Sequence, residues 1–98
     1  MLLQISRFRS ALPDDEVIRT FEKRSAQFRS VKGLRQKYYI RYPDTGEFGA
    51  VYVWDSQEDM QAFRASPFAA TMPEAYRLEG PAERQVTEVV MVLRPGQA

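Results

Sequence analysis

The sequence predicts a single α+β domain in which two helices cover one face of a four-stranded antiparallel sheet. Its 98 residues are enough for one domain, predicted to span residues 1–98. The predicted elements follow the order strand, helix, strand, strand, helix, strand. The strand segments alternate large and polar side chains, whereas the helical segments repeat apolar residues every three or four positions.

The first strand and the first helix are predicted from the N-terminal third of the chain. Residues 2–8 (LLQISRF) alternate as a short strand does. Residues 13–28 (PDDEVIRTFEKRSAQF) predict a helix, because a proline followed by acidic residues suits a helix start. We therefore interpret Asp14, Asp15 and Glu16 as this helix start and not as a metal site. The inward face is expected to carry Val17, Ile18, Phe21, Ser25 and Phe28.

The central hairpin is predicted to join strands at residues 34–42 and 47–54. Its turn, PDTG, suits a type I turn followed by Gly46 in the left-handed region, which gives a three-residue loop. The expected cross-strand pairs are Tyr42 with Phe48, Ile40 with Ala50, Tyr38 with Tyr52, and Gln36 with Trp54. A four-residue loop is the alternative, and its one-residue shift would exchange the faces.

The second helix and the last strand complete the prediction. Asp55 or Ser56 is expected to cap the helix in WDSQEDMQAFRAS, Met60 and Phe63 to face inward, and Pro67 to end it. An irregular segment with one helical turn follows. Residues 84–94 (RQVTEVVMVLR) predict the last strand, and the final PGQA is expected to fray. The order βαββαβ is that of the ferredoxin-like fold.

The absence of cysteine and histidine restricts the chemistry. Without them the sequence excludes disulfides, thiolate nucleophiles, histidine acid–base catalysis and haem ligation by histidine. Any metal site would need oxygen ligands alone, and we expect neither a metal nor a cofactor. The net charge of +1 provides no general field for nucleic acid. No apolar run is long enough to cross a membrane, and we identify no signal peptide, so we expect a cytoplasmic protein with no membrane partner.

Both faces of the predicted sheet carry apolar side chains. The hairpin has large residues on each side, and the last strand alternates Val86, Val90 and Val92 with Val89, Met91 and Leu93. Two helices can cover only one face. An uncovered apolar face is a partner site. We therefore expect a homodimer formed through the sheet face away from the helices.

Residues 33–68 carry a family resemblance that extends over most of the chain. This segment resembles the YdhR-type monooxygenases of the dimeric α/β-barrel superfamily. The matching positions are Gly33, Leu34, Lys37, Gly46, Gly49, Tyr52, Trp54, Ser66 and Pro67. The resemblance implies a homodimer with its sheets face to face, and a cavity in each monomer between helices and sheet.

The resemblance also implies an activity. Cofactor-independent quinol and polyketide monooxygenases of that superfamily oxidise hydroxyaromatics with O₂ in the cavity. Haem-degrading relatives have a similar tryptophan at a strand end, followed by a helix that ends in a haem-ligating histidine. Trp54 fits the first feature, but Ala69–Met72 follow the SPF segment without a histidine, which argues against haem degradation.

Nine residues are candidates for a substrate pocket, and none is assigned a catalytic role. They are Lys37, Tyr38, Arg41, Tyr52, Trp54, Phe63, Phe68, Met72 and Tyr76. Lys37 or Arg41 would anchor a phenolate or carboxylate, and the aromatic residues would wall the pocket for a small aromatic ligand. In the alternative interpretation, the two cations form surface or interface ion pairs and the aromatic residues are core.

Three function classes follow. The first is a monooxygenase acting on a quinol or phenol, and the second is a non-catalytic small-molecule-binding or stress-associated dimer. The sequence does not decide between them, so enzymatic activity stays open. The third is an RNA-recognition module, because EFGAVYVW partly matches the signature of that fold's third strand. Ala50 and Val53 replace two of its aromatic residues, however, and we expect no nucleic-acid partner.

Overall fold

A computed structural model describes residues 1–96 and confirms the predicted element order, with additional helical turns before the last strand. The chain begins with β1 (Leu2–Phe8), α1 (Asp14–Phe28), β2 (Leu34–Tyr42) and β3 (Glu47–Trp54). It continues with α2 (Gln57–Arg64), the short helices α3 (Pro67–Ala70) and α4 (Met72–Ala75), and β4 (Glu83–Glu88). The irregular segment therefore holds two helical turns where one was expected. The expected frayed end at PGQA falls partly outside the described residues.

The four strands form one antiparallel sheet in the order β2-β3-β1-β4. Residues of α1 and α2 pack in the same clusters as the even-numbered residues of β3, so both helices cover one face. This is the ferredoxin-like α+β fold that the sequence predicts. None of the helices in residues 1–96 has the length and apolar character of a membrane span.

The register of the central hairpin differs from the prediction by one residue. Tyr42 pairs with Glu47, so the loop has the four residues 43–46. The amides of Thr45 and Gly46 both donate to the Tyr42 carbonyl, and Gly46 has a φ of +76°, as the turn requires. These hydrogen bonds close the longer loop. The prediction of a three-residue loop was therefore wrong, and the four-residue alternative is the one observed.

The corrected register exchanges the faces of β2. Lys37 now pairs with Tyr52, whereas Tyr38 pairs with Val51. A register shift between Leu34 and Gln36 accompanies this pairing. The odd-numbered side chains of β2 beyond this shift therefore lie under the helices, and Tyr38 lies on the opposite, open face of the sheet.

Helix α1 packs on the sheet through three of the predicted residues. Val17, Phe21 and Phe28 are buried, but Ile18 is 45% exposed, so its inward placement was wrong. Adjacent helical positions point about 100° apart, and the buried row lies on the side of Val17. Half-buried Arg24 continues that row.

The second helix has the predicted cap and core residues. The amide of Asp59 donates to Ser56 Oγ over 3.1 Å, so Ser56 and not Asp55 is the cap. Met60 and Phe63 are buried, as expected. This cap places the start of α2 next to the end of β3.

The last strand is shorter than predicted. It ends at Glu88, which pairs with Leu2, and the Val89 amide then donates to the Met1 carbonyl. This hydrogen bond is the last contact between the two strands. Val90, 95% exposed, and the residues that follow it run beyond the sheet as an apolar segment, which we call the C-terminal arm (residues 89–93).

Two aromatic clusters fill the space between helices and sheet. One contains Phe28, Ala50, Tyr52, Trp54, Met60 and Phe63. The other contains Phe8, Val17, Phe21, Phe48 and Tyr76. Most of the hairpin aromatics on the helical face are thus core, and the space left beside these clusters is where a ligand would fit.

Candidate functional site

A cavity of about 250 Å³ lies between the sheet and the segment from α2 to α4. The sheet side is lined by Gln4, Ser6, Phe8, Tyr52 and Arg84. The helical side is lined by Phe63, Arg64, Ala69, Ala70, Met72, Pro73 and Tyr76, with Leu78 and Ala82 on the chain that leads to β4. Aromatic walls and several polar groups therefore meet in one partly enclosed space, as in many small-molecule sites.

Two buried polar residues of β1 form part of the cavity lining. Gln4 and Ser6 are 3% and 6% exposed. The hydroxyl of Ser6 is buried and has no hydrogen-bond partner within the described residues. A buried hydroxyl without a partner costs stability, so Ser6 is a group for which a bound ligand would supply the missing partner.

The amide of Gln4 is oriented by Trp54. The indole Nε1 of Trp54 donates to Gln4 Oε1 over 2.9 Å. Because its oxygen is engaged, Gln4 keeps the two N–H donors of Nε2 for the cavity. Trp54 itself is fully buried, and its ring stacks on that of Tyr52 with centroids 6.0 Å apart. Trp54 therefore positions two lining residues without lining the cavity.

The two tyrosines of the cavity stay protonated at neutral pH. Burial raises the pKa of Tyr52 well above its ordinary value, and it raises the pKa of Tyr76 to about 12. Neutral phenols donate hydrogen bonds but do not remove protons. Tyr52 and Tyr76 are therefore suited to bind a ligand oxygen and are not suited to act as bases.

The charged groups that line the cavity are both basic. Arg64 and Arg84 reach it from α2 and β4, and no carboxylate of residues 1–96 lines it. Neither arginine has an ion-pair partner within residues 1–96. Across the same residues, no group of three or more acidic side chains is placed to hold a metal ion.

Four of the nine predicted pocket residues line this cavity, namely Tyr52, Phe63, Met72 and Tyr76. Trp54 lies behind the wall. Phe68 lies in the core beside Phe28, with the two ring centroids 5.1 Å apart, and the Arg24 guanidinium lies 4.3 Å from its centroid. The irregular segment thus contributes to the site mainly through Met72 and Tyr76.

The remaining three candidates lie elsewhere. Tyr38 is 40% exposed on the open face. Arg41 forms a 2.8 Å ion pair with Asp14 at the start of α1, beside an open groove between α1 and β2. This ion pair is the alternative that the sequence left open for Arg41. Lys37 lies under the helices but on the far side of Tyr52 from the cavity.

Lys37 is held among aromatic rings. Its Nζ lies 3.2 Å from the ring centroid of Phe28, 4.4 Å from that of Tyr39 and 4.7 Å from that of Tyr52. Burial lowers the pKa of Lys37 to about 7, and the charge of Arg24 acts in the same direction. Attraction between the ammonium and the rings partly offsets the free-energy cost of burying the charge.

Sequence reasoning missed Gln4, Ser6, Arg64 and Arg84 as lining residues. A signal for the first two was present, because LLQISRF places them on the same face of β1 as Phe8, a core residue. Polar side chains on a buried face mark a site more often than exposed ones do. Arg64 and Arg84 had no such signal, since only the folded chain brings α2 and β4 together.

Solved structures share this fold. SnoaB, a cofactor-independent oxygenase from Streptomyces nogalater, superposes with a TM-score of 0.76 at 19% identity, over 94% of this chain and 95% of that one. Rv0793 from Mycobacterium tuberculosis gives 0.75 at 18% identity over 95% and 98%. An antibiotic biosynthesis monooxygenase gives 0.75 at 14% identity over 93% and 100%. At these identities the likeness establishes the fold. The sequence matches no protein-family model and no curated protein.

Proposed function

We propose that this protein is a cofactor-independent monooxygenase that oxidises a small quinol or phenol in the cavity between the helices and the sheet. The observation that carries the proposal is the convergence of Gln4, Ser6, Tyr52 and Tyr76 on one partly enclosed, aromatic-walled space. The fold shared with a cofactor-independent oxygenase supports it. The cavity volume of about 250 Å³ suits a ligand of one or two rings, because drug-sized ligands occupy pockets of roughly 300–1,000 Å³.

The proposed reaction needs no reductant besides the substrate. A ring C–H of the quinol becomes C–OH by taking one oxygen atom of O₂. Oxidation of the quinol to the quinone then releases two electrons and two hydroxyl protons, which reduce the other oxygen atom to water. The electron-rich ring of the substrate supplies all four electrons, so the protein has to bind, orient and ionise the quinol.

The cavity residues have distinct roles in this proposal. Phe8 and Phe63 pack against the ring of the quinol, because aromatic side chains favour stacked and edge-to-face contacts with a ring. Gln4 Nε2, Ser6 Oγ and Tyr52 Oη donate to the oxygen that carries negative charge once the quinol loses a proton to solvent. Preorganised donors of this kind stabilise developing oxyanions.

We also propose that this chain belongs to the YdhR-type subgroup. The residues that carry the resemblance support this assignment. Gly49 lies where β3 approaches β1, and a Cβ there would collide with the carbonyl of Ser6. Tyr52 and Trp54 form the wall and the support of the cavity. Three of the resembling positions are thus residues on which the geometry of the site depends.

We also propose that two copies pair through the open face. That face presents the half-buried residues Leu3, Ile5, Ile40 and Val51 with the exposed ring of Tyr38, and no helix of residues 1–96 covers it. The apolar C-terminal arm adds to the surface that a partner copy would cover. A patch of this kind usually marks a protein interface.

Oxygen consumption tests the activity. Purified protein dialysed against EDTA is mixed with hydroquinone or 1,4-dihydroxynaphthalene, and the rate without protein is subtracted. With ¹⁸O₂, one labelled atom is expected in the hydroxyquinone and the other in water. Tyr52→Phe and Ser6→Ala should lower the rate, while Tyr38→Phe, the matched change on the open face, should not. Absence of protein-dependent oxygen uptake with either quinol and with a carboxylated quinol would contradict the proposal.

A specific observation also favours a second candidate function, binding without turnover. Among the described residues no carboxylate lines the cavity, the chain has no imidazole, and both tyrosines of the cavity keep their protons. The described lining therefore supplies no general base for the quinol proton. If hydroquinone quenches Trp54 fluorescence saturably but oxygen uptake stays at the background rate, the non-catalytic small-molecule-binding function is the correct one.

A further inference from the structure

The described side chains that line the cavity supply hydrogen-bond donors and positive charge but few acceptors and no negative charge. Gln4 has its oxygen engaged by Trp54 and presents its N–H groups. Two neutral phenols add further donors, as does the Ser6 hydroxyl, which has no hydrogen-bond partner among residues 1–96. Arg64 and Arg84 add two cations, and no acidic residue of the described part of the chain lines the cavity. A neutral quinol would use the donors but would form no ion pair with either guanidinium group.

Arg84 is the better placed of the two cations. It lies directly across from Ser6 in the pairing of β1 with β4, so its side chain starts beside the unpartnered hydroxyl. Its charge also lowers the pKa of Tyr52 against the larger, opposite effect of burial. The guanidinium is therefore within electrostatic reach of the tyrosine hydroxyl on the cavity wall.

An anion held by Arg84 would lie close to the ring-binding part of the cavity. Guanidinium groups bind carboxylates with two parallel hydrogen bonds, and this geometry fixes the orientation of the attached ring. The exposed position of Arg84 at the rim keeps the carboxylate partly hydrated, while the ring enters among Phe8, Phe63 and Tyr76. Such a ligand has an acidic group at one end and a hydroxyl at the other.

We propose that the preferred ligand is a carboxylated quinol of one or two rings, with its carboxylate on Arg84 and its ring oxygen on Ser6 and Gln4. This inference rests on the proposed function, which it narrows from hydroxyaromatics in general to aromatic acids. Arg64, on the opposite wall, adds a second positive charge at the mouth. The carboxylate is unchanged in the reaction, so the oxygen and electron balance stays as given above.

Titration of Trp54 fluorescence tests the charge preference. The probes are 2,5-dihydroxybenzoate, its methyl ester and hydroquinone. The acid is expected to bind at least about tenfold more tightly than the ester, because only the acid can form charge-assisted hydrogen bonds with Arg84. Added NaCl should reduce the affinity for the acid more than that for the ester. Equal affinities for acid and ester would overturn the inference.

Variants separate the contribution of the cavity arginines from that of net charge. Arg84→Gln should bring the acid-to-ester affinity ratio close to one, and Arg64→Gln should lower it less. Arg29→Gln removes the same charge from an exposed position at the end of α1 and should keep the wild-type ratio. A ratio unchanged in Arg84→Gln, with the melting temperature retained, would overturn the assignment of the carboxylate.

The two proposals fail in different ways. If the ester and hydroquinone bind and are oxidised as fast as the acid, the proposed function holds and only the preference for an acid is wrong. If no probe binds or supports oxygen uptake, the proposed function is wrong and the acid preference falls with it. Selective binding of the acid without turnover would uphold the ligand class and place the protein in the non-catalytic binding class.

Discussion

The indole Nε1 of Trp54 donates to Gln4 Oε1 over 2.9 Å. This hydrogen bond joins the end of β3 to a residue of β1 that lines the sheet side of the cavity. Gln4 is thereby held with its N–H donors free, and the stacked ring of Tyr52 is held in the adjacent wall. The only tryptophan of the chain thus supports the site from behind. Its buried position also makes it a sensitive fluorescent reporter of a ligand in the cavity.

Removing the Tyr52 hydroxyl should affect function more than stability. Tyr52→Phe keeps the ring that packs on Phe28 and Trp54, so we expect the free energy of unfolding to change by less than about 1.5 kcal/mol, the usual contribution of one hydrogen bond. Ligand affinity should fall about three- to tenfold for the same reason. Urea denaturation and fluorescence titration measure both effects. Tyr38→Phe is the control, and equal losses in the two variants would refute the role of Tyr52.

Ser6→Ala should weaken ligand binding without weakening the fold. The hydroxyl has no partner within the described residues, so removing it relieves a buried polar group and should leave the free energy of unfolding unchanged or raise it by up to about 1 kcal/mol. Affinity for a quinol should decrease. Thermal melting with and without ligand measures both. A less stable variant that binds as tightly as the wild type would indicate a structural role alone.

Lys37 should make stability depend on pH. Its pKa is about 7 in the fold and 10.5 for the ordinary side chain, so between these values the unfolded chain binds the extra proton. The free energy of unfolding therefore rises with pH across this window, by at most about 1.4 kcal/mol per pH unit from this group. The destabilising effect of the buried charge is greatest below pH 7.

Urea denaturation of Lys37→Met at pH 7, 8 and 9 isolates that contribution. The variant should be more stable relative to wild type at pH 7 than at pH 9, because methionine carries no buried charge. Lys32→Met, at an exposed position, should follow the wild-type pH profile. Parallel pH profiles for wild type and Lys37→Met would contradict a lowered pKa at this lysine.

A charge on the open face should separate the proposed dimer. Val51 lies in the centre of that face, between β1 and β2, so Val51→Asp would place an unpaired carboxylate in the interface. Sedimentation velocity should show dimer for the wild type and monomer for the variant. Ile18→Asp, on the outer side of α1, should remain dimeric. A wild-type protein that sediments as a monomer at micromolar concentration would refute the interface.

We expect no tight binding to single-stranded RNA. Phe48 and Tyr52, the aromatic residues of β3 nearest to the RNA-recognition signature, are buried beneath the helices. A stacking platform needs exposed rings, and the net charge of +1 adds little attraction for phosphates. Fluorescence anisotropy with a labelled mixed-sequence oligonucleotide at physiological salt measures this. Submicromolar, salt-dependent binding would contradict the prediction.

The sequence predicted the pocket residues only in part. Phe63 lines the cavity because it lies on the inward face of the second helix, as its spacing predicts, whereas Met72 reaches it from the irregular segment that follows. Lys37 and Tyr38 were both placed in the pocket, yet they are neighbours in a strand and point to opposite faces. The register of the hairpin therefore decides which of them lies under the helices. The four-residue loop places Lys37 there and Tyr38 on the open face.

Local interactions account for what the sequence determined by itself. The alternation of β1, the apolar row of Val17, Phe21 and Phe28, and the Ser56 cap each depend on residues close together in the chain. Their order is sufficient for the ferredoxin-like fold, because few topologies accommodate it. The absence of histidine and cysteine also excluded several kinds of catalysis, because composition does not depend on how the chain folds.

Only the tertiary structure decided the hairpin register, the end of β4 at Glu88 and the meeting of Ser6 with Arg84 beside the cavity. Each depends on contacts between residues far apart in sequence. A strand can pair in two registers that differ by one residue, and local preferences distinguish them weakly. Packing of the whole core selects one of them, and the same packing leaves the unfilled space that Gln4 and Ser6 line.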